Sequence, residues 1–223
     1  MIGIIFAMKE ELDELKKYIN DIKITKIYDL EFIEGVVSGK RCILVECGIG
    51  KVNAARCTQV LIDKFDVDYV FNIGVAGGVS NGLNVGDIVA GSKLVQHDFD
   101  ITAFNHDKGY IPNTGVFINS DDYLLSLVKN DSDVKCGVIA SGDIFCTEDI
   151  MSLKICDKFN ALCVEMEGAA IAQVCYLCNI PFLVLRSISD VVGKDNKITY
   201  DNFLLESSKK IAEKMVSVIN KIN

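Results

Sequence analysis

A chain of 223 residues, 50% hydrophobic and 24% charged, has the length of one large α/β domain and too much apolar content to be disordered. Lys plus Arg number 23 against 31 Asp plus Glu, and the resulting net charge of −8, with no basic stripe, disfavours a nucleic-acid or anionic-membrane surface. Nine scattered cysteines beside only two histidines fit no zinc pattern and predict a reduced, cytoplasmic protein.

The opening MIGIIFAMKEEL lacks a basic start, and Lys9 and two acids break its apolar run. It therefore reads as a strand, Ile2–Phe6, leading into a helix near 9–20, and not as a signal peptide. Strands are expected at Glu31–Val37 and Arg41–Glu46, with a Ser-Gly-Lys turn that makes them an antiparallel hairpin. CGIGK (Cys47–Lys51) then opens a helix near 51–65, where Ala54, Cys57, Leu61 and Phe65 form a stripe. This turn gives G-x-G-x-x-N, short of a dinucleotide fingerprint and without P-loop spacing.

Next come a strand at Tyr69–Ile73, with NIGVAGG (Asn72–Gly78) read as a glycine-rich turn after it, and a strand at Asp87–Val95. Further strands are expected at Cys136–Ala140, Leu162–Glu165 and Phe182–Ile188, and helices near 121–130, 147–158 and 167–178. Cys175 and Cys178 form a CxxC inside the last of these helices, where small buried side chains are the better reading than a redox pair. A closing helix at 201–222 carries Leu204, Ile211, Met215, Val218 and Ile222 at helical spacing, with Asp201 as its N-cap. No stretch approaches the roughly 18 uninterrupted apolar residues of a membrane span. Continuous apolar strands such as FLVLRSI predict a mixed sheet covered by helices on both faces, in a single domain over 1–223.

Acids at strand ends are the candidate chemistry. Glu10 and Glu11 follow the first strand, Glu165 and Glu167 follow LCV, and Asp190 ends FLVLRSISD, which also carries Arg186, one of three arginines. Each alone has an ordinary explanation: helix-terminal charge for Glu10 and Glu11, a cap for Asp190. Together, acids from three distant segments converging at one sheet edge beside an arginine suggest a hydrolase or lyase with carboxylate acid–base chemistry.

The segments GIIFAMKEEL, CGIGKVNAA, NIGVAGG, GDIVAGSKLVQHDFDITAF, SGDIFC, VEMEGAAIA and RSISD, spread over nearly the whole chain, resemble the 5′-methylthioadenosine/S-adenosylhomocysteine nucleosidase family in order and spacing. The resemblance implies a three-layer α/β/α fold with a mixed central sheet, of the nucleoside phosphorylase/hydrolase-like type. It implies hydrolysis of the N-glycosidic bond of both nucleosides, releasing adenine and the 5-thioribose product, without cofactor or metal, in a homodimer. By the same resemblance Glu11 matches the acid that activates water and Asp190 the acid that protonates adenine N7; on charge grounds Arg186 is expected to keep Glu11 ionised and orient the water. Glu167 matches the ribose-hydroxyl ligand; Met166, Gly77, Phe145, Cys146, Ile49 and Ser189 match substrate-contacting positions. Phe104 matches an aromatic reaching into the neighbouring subunit's site, and Tyr200 one near the base. The chain departs from the pattern at Val75, where many relatives carry a small hydroxyl residue, and at Lys9, where the family often has another acid.

Rival readings are a purine nucleoside phosphorylase or an aminodeoxyfutalosine nucleosidase on the same fold, and, from another class, a non-catalytic nucleoside-binding protein. AMKEEL offers two acids where a phosphorylase would offer glycine and arginine, and Glu11, Glu167 and Asp190 are all present, unlike in a non-catalytic relative.

Overall fold

In the computed structural model, which describes residues 1–146, 149–191 and 196–223 (the last with side chains only from 203), β1 (Ile2–Phe6) is buried along its whole length. Its alternation divides the core. Ile2, Ile4 and Phe6 pack with Leu12 and Leu15 of α1 (Lys9–Lys16) and with Ile211, Met215 and Val218 of α6 (Asn196–Lys221). Ile5 faces the other way, where Ala54, Cys57 and Leu61 of α2 (Lys51–Lys64) meet Ala169, Ala172 and Cys175 of α5 (Gly168–Cys178). Helices thus cover both faces of the sheet, which is why its central strands carry apolar residues at nearly every position.

β4 (Lys40–Glu46) and β5 (Tyr69–Gly78) flank β1, both parallel to it. β3 (Leu30–Val37) pairs antiparallel with β4 across Ser38 and Gly39, whose φ values of 50° and 77° are those of a type I′ hairpin turn. On the other side β10 (Phe182–Val191) lies parallel to β5 and antiparallel to β6 (Ile88–Gln96). Pairing continues through β8 (Val134–Ser141) and β9 (Ala161–Glu165) back to β5 at Gly77 and Gly78, so five strands of the ten-stranded mixed sheet close a ring. The short β7 (Ile118–Asn119) pairs β6, while α3 (Asp122–Ser126) and α4 (Asp149–Phe159) complete the set.

Four expectations need correction. The first helix stops at Lys16, and residues 20–27 form an edge strand, β2 (Asn20–Ile27), whose side chains are mostly exposed and so show no buried face to read. NIGVAGG is not a turn: β5 runs through it to Gly78. β10 likewise extends past Ile188 to Val191, with a register shift between Ile188 and Asp190. The last helix begins at Asn196, which puts Asp201 inside it instead of at its cap.

Candidate active site

A pocket open to solvent lies beyond the C-terminal ends of β1, β5, β9 and β10, with walls from the segments after β4 and β8. Open α/β sheets present ligand sites at such ends, where the strands stop and loops diverge. Four acids line it (Glu11, Glu165, Glu167 and Asp190), and none of the described lining residues is Lys, Arg or His.

Glu11 stands in the first turn of α1 and folds back over the end of β1. Its Oε2 accepts N–H bonds from Ala7 (3.0 Å) and Met8 (3.1 Å), and its Oε1 accepts from Val75 of β5 (3.0 Å). Burial raises its pKa; the Arg186 charge and these three N–H groups oppose the rise by favouring the carboxylate. The glycine of β5 beside it is required by sterics: a Cβ at Gly74 would lie 2.5 Å from Glu11 Oε1. Glycine inside a strand marks such a close approach.

Glu165 and Glu167 part company at the end of β9. Glu165 turns inward to a fully buried ion pair with Arg186, accepts from Ser141 Oγ, and caps α5 by accepting from Gly168 N (2.8 Å) and Glu167 N (3.2 Å). Ser141 Oγ in turn accepts from Ala169 N at 2.7 Å. Arg186 also donates to Asn72 Oδ1 and to Leu185 O, and among the described residues none of its hydrogen bonds reaches Glu11. Glu167 faces the pocket, its Oε1 accepting from Gly50 N (2.9 Å) at the start of α2. Burial, and then the neighbouring Glu165 charge, push its pKa up to about 7.

Asp190 follows the irregularity in β10, the kind of bulge that re-aims a side chain out of register. Ser189 Oγ donates to its Oδ1 at 2.8 Å, and Oδ2 lies where a Cβ on Gly77 would be 3.1 Å away. Among the described residues no backbone N–H or cation supports its charge, and burial raises its pKa. Burial also pushes the Cys146 thiol up to about 11, so this lining cysteine is a neutral apolar contact and no nucleophile.

Of the residues singled out from the sequence, Glu11, Ile49, Gly77, Phe145, Cys146, Met166, Glu167, Ser189 and Asp190 line this one pocket. Arg186 does not: it lies beneath the pocket floor, 1% exposed, and reaches the site only through its charge and through Glu165. Phe104, in a single 3₁₀ turn (Thr102–Phe104), is 75% exposed and does not line the pocket. The Tyr200 side chain lies outside the described residues. Sequence reasoning missed Gly74, Asn72 and Ser141. A polar Asn within the apolar run of β5 was the available signal, since such a group is buried only with a partner.

The profile of the phosphorylase superfamily matches residues 1–222. The chain is 39% identical over 229 aligned residues to a 5′-methylthioadenosine/S-adenosylhomocysteine nucleosidase of Bacillus licheniformis, covering 100% of this chain and 99% of the relative. It is similar, at TM-score 0.95 and 34% identity, to the S. pneumoniae nucleosidase of that name solved with a transition-state inhibitor, over 100% of this chain and 99% of that one. A futalosine hydrolase of Helicobacter pylori strain 26695 aligns with the same TM-score at 35% identity, over 99% and 97% of the two chains.

Proposed function

The chain belongs to the phosphorylase superfamily and, within it, to the 5′-methylthioadenosine/S-adenosylhomocysteine nucleosidases, which are N-glycosyl hydrolases, and on that premise we propose how its residues divide the reaction. Substrate lies with its ribose toward Glu167 and Met166 and its purine against Phe145, the Cys146 backbone, Ser189 and Asp190. Glu11, ionised, takes a proton from water as the water oxygen bonds C1′. Asp190, protonated, delivers its proton to adenine N7 as the C1′–N9 bond breaks. Adenine leaves neutral, and the sugar keeps the new hydroxyl.

The difference between the two carboxyl groups supports this division. Glu11 accepts three N–H bonds, which stabilise an anion, whereas among the described residues Asp190 accepts one bond, from a hydroxyl. Environments that push two acids apart in this way assign the base and the acid. Glu167, when ionised, adds a second negative group beside a sugar that becomes oxocarbenium-like, an interaction that strengthens in the transition state.

The observation that carries hydrolysis over phosphorolysis is the absence of any described cation from the pocket lining, together with the filling of two helix N-termini by the chain's own carboxylates. Glu11 takes the N–H groups before α1, and Glu167 takes that of Gly50 before α2; such N-termini would otherwise suit phosphate. Adenine release from methylthioadenosine at equal rates with and without phosphate is expected. Release only with phosphate would reassign the enzyme as a phosphorylase, and no release from methylthioadenosine but release from an aminodeoxyfutalosine would move it to that substrate.

We further place Phe104 in the site of a second copy of the chain, forming a homodimer; its exposure away from its own pocket supports this. Residues 1–223 act as one domain, and a cytoplasmic setting fits the nine free thiols. Among the described residues no helix is long and apolar enough to cross a membrane.

A further inference from the structure

Two segments carrying pocket walls, the start of α2 and the loop after β8, are tied together through the end of β6 by residues that do not themselves line the pocket. Lys51, the first residue of α2, sends its Nζ to Gln96 Oε1 (3.1 Å), at the end of β6, and to Asp98 Oδ1 (2.6 Å), just past it. Asp98 Oδ2 accepts from the backbone N–H of Asp143 (3.0 Å), in the loop after β8. Asp143 closes the circuit, its Oδ1 accepting from Lys51 N at 2.8 Å. Gln96 extends the tie to α5 through Gln173 (2.7 Å). The Lys51 and Asp98 side chains are 17% and 19% exposed, sheltered enough for the ion pair to resist screening.

What hangs from this circuit is the ligand-facing surface. Gly50, one residue before Lys51, donates to Glu167, and Ile49 before it lines the pocket. Ile144, Phe145 and Cys146 follow directly on Asp143. Gly50 has φ 97°, and a Cβ there would lie 3.1 Å from Asp143 Oδ1, so glycine is needed both for the turn and for the approach of the aspartate.

We propose that Lys51, Asp98 and Asp143 are positioning residues which lock the Phe145 loop to the start of α2 and thereby fix the purine wall and the Glu167 carboxylate as one unit. The proposal rests on the reading of the pocket as the nucleoside site, and its main test does not. Glu11 and Asp190 are held by β1, β5 and β10, outside this circuit, so losing the lock loosens binding more than it disturbs the proton transfers.

The test compares Lys51→Met, Asp98→Ala, Asp143→Ala and Asp143→Asn with the wild-type chain, by hydrogen–deuterium exchange and by steady-state kinetics on methylthioadenosine. Lys51→Met is expected to raise exchange in residues 142–146 as well as in 47–53, although the two segments are far apart in sequence. Exchange that rises only around each mutated residue would overturn the proposal, whatever the enzyme's substrate. The Ala variants and Lys51→Met are expected to raise KM about 10- to 100-fold, with a smaller fall in kcat from the loosened Glu167. Asp143→Asn, whose amide oxygen still accepts from Lys51 N, should stay near wild type. A fall in kcat at constant KM, or an Asn variant as impaired as the Ala variant in a folded protein, would also overturn it. Wild-type inactivity on every nucleoside tried, with coupled exchange intact, would instead count against the assigned function alone.

Discussion

Gly74 and Glu11 are in such close contact that a methyl group on the glycine would stand 2.5 Å from one carboxylate oxygen and 3.0 Å from the carboxyl carbon. Gly74 has an ordinary strand conformation, so alanine itself fits the backbone and only the glutamate must yield. Gly74→Ala should displace the carboxylate from Val75 N and lower kcat about 100-fold or more, as ångström-scale misplacement of a reacting group does. Its stability cost should stay near 1–3 kcal/mol, the range for overpacking a buried site. A folded Gly74→Ala variant with wild-type turnover, measured by adenine release, would show that Glu11 is not the base.

Glu11→Gln and Asp190→Asn should each lose roughly 10²–10⁴-fold in turnover while still binding substrate. Their pH behaviour separates them. Glu11 works ionised, and burial raises its pKa from the usual 4.5, so the acid limb of kcat/KM should lie above that value. Asp190 works protonated, so its raised pKa sets a limb on which activity falls as pH increases. The pH profile of kcat/KM checks both signs; a flat profile from pH 4 to 9 would contradict the assignment.

The same residues show how far the sequence could be read. Strand-end acids, the Ser38-Gly39 hairpin and the stripe on α2 follow from local spacing, and so the position of the site at one sheet edge was legible. The glycines of NIGVAGG were misread because their reason lies elsewhere in the chain: Gly74 and Gly77 make room for Glu11 and Asp190, contacts that only the fold creates. β2 escaped notice although Ile22 and Ile24 alternate with Lys23 and Thr25: the run is short and charged, and in the fold both isoleucines stay exposed on an edge strand, so the alternation marks no buried face. Glu165 and Glu167, two residues apart, could not be told apart by spacing. What separates them is a buried arginine twenty-one positions after the first.

Glu167 should make the ligand-free protein less stable as pH rises. Its folded pKa of about 7 exceeds the ordinary 4.5, so between those values the folded state binds more protons than the unfolded state. Stability contributed by that extra proton is present below pH 4.5 and lost as pH climbs through 7. Glu167→Gln keeps an oxygen for Gly50 N and removes the penalty. It should therefore stabilise the apo protein at pH 8 by on the order of 1–3 kcal/mol, and by little at pH 4, while impairing turnover. Denaturant melts of the two proteins at both pH values measure this. Equal stability at pH 8 would mean that the Glu167 charge is already compensated.

Among the described residues Arg186 is the one cation buried against these acids, and its direct partner is Glu165, not Glu11. Its removal should therefore have two separable consequences. Arg186→Met leaves Glu165 as an uncompensated buried charge, a situation that typically costs about 3–5 kcal/mol. Adding Glu165→Gln removes that charge while keeping an acceptor for Gly168 N, so the double variant should recover most of the lost stability. Activity should not return with it. Without the guanidinium, only the three N–H donors among the described residues offset burial at Glu11, and its pKa rises further. The acid limb of the double variant's kcat/KM profile should then move to higher pH than in the wild type. Recovery of both stability and the wild-type pH profile would reduce Arg186 to a structural partner of Glu165. A restored fold with a displaced acid limb is the outcome that its buried charge, set beneath the pocket, leads us to expect.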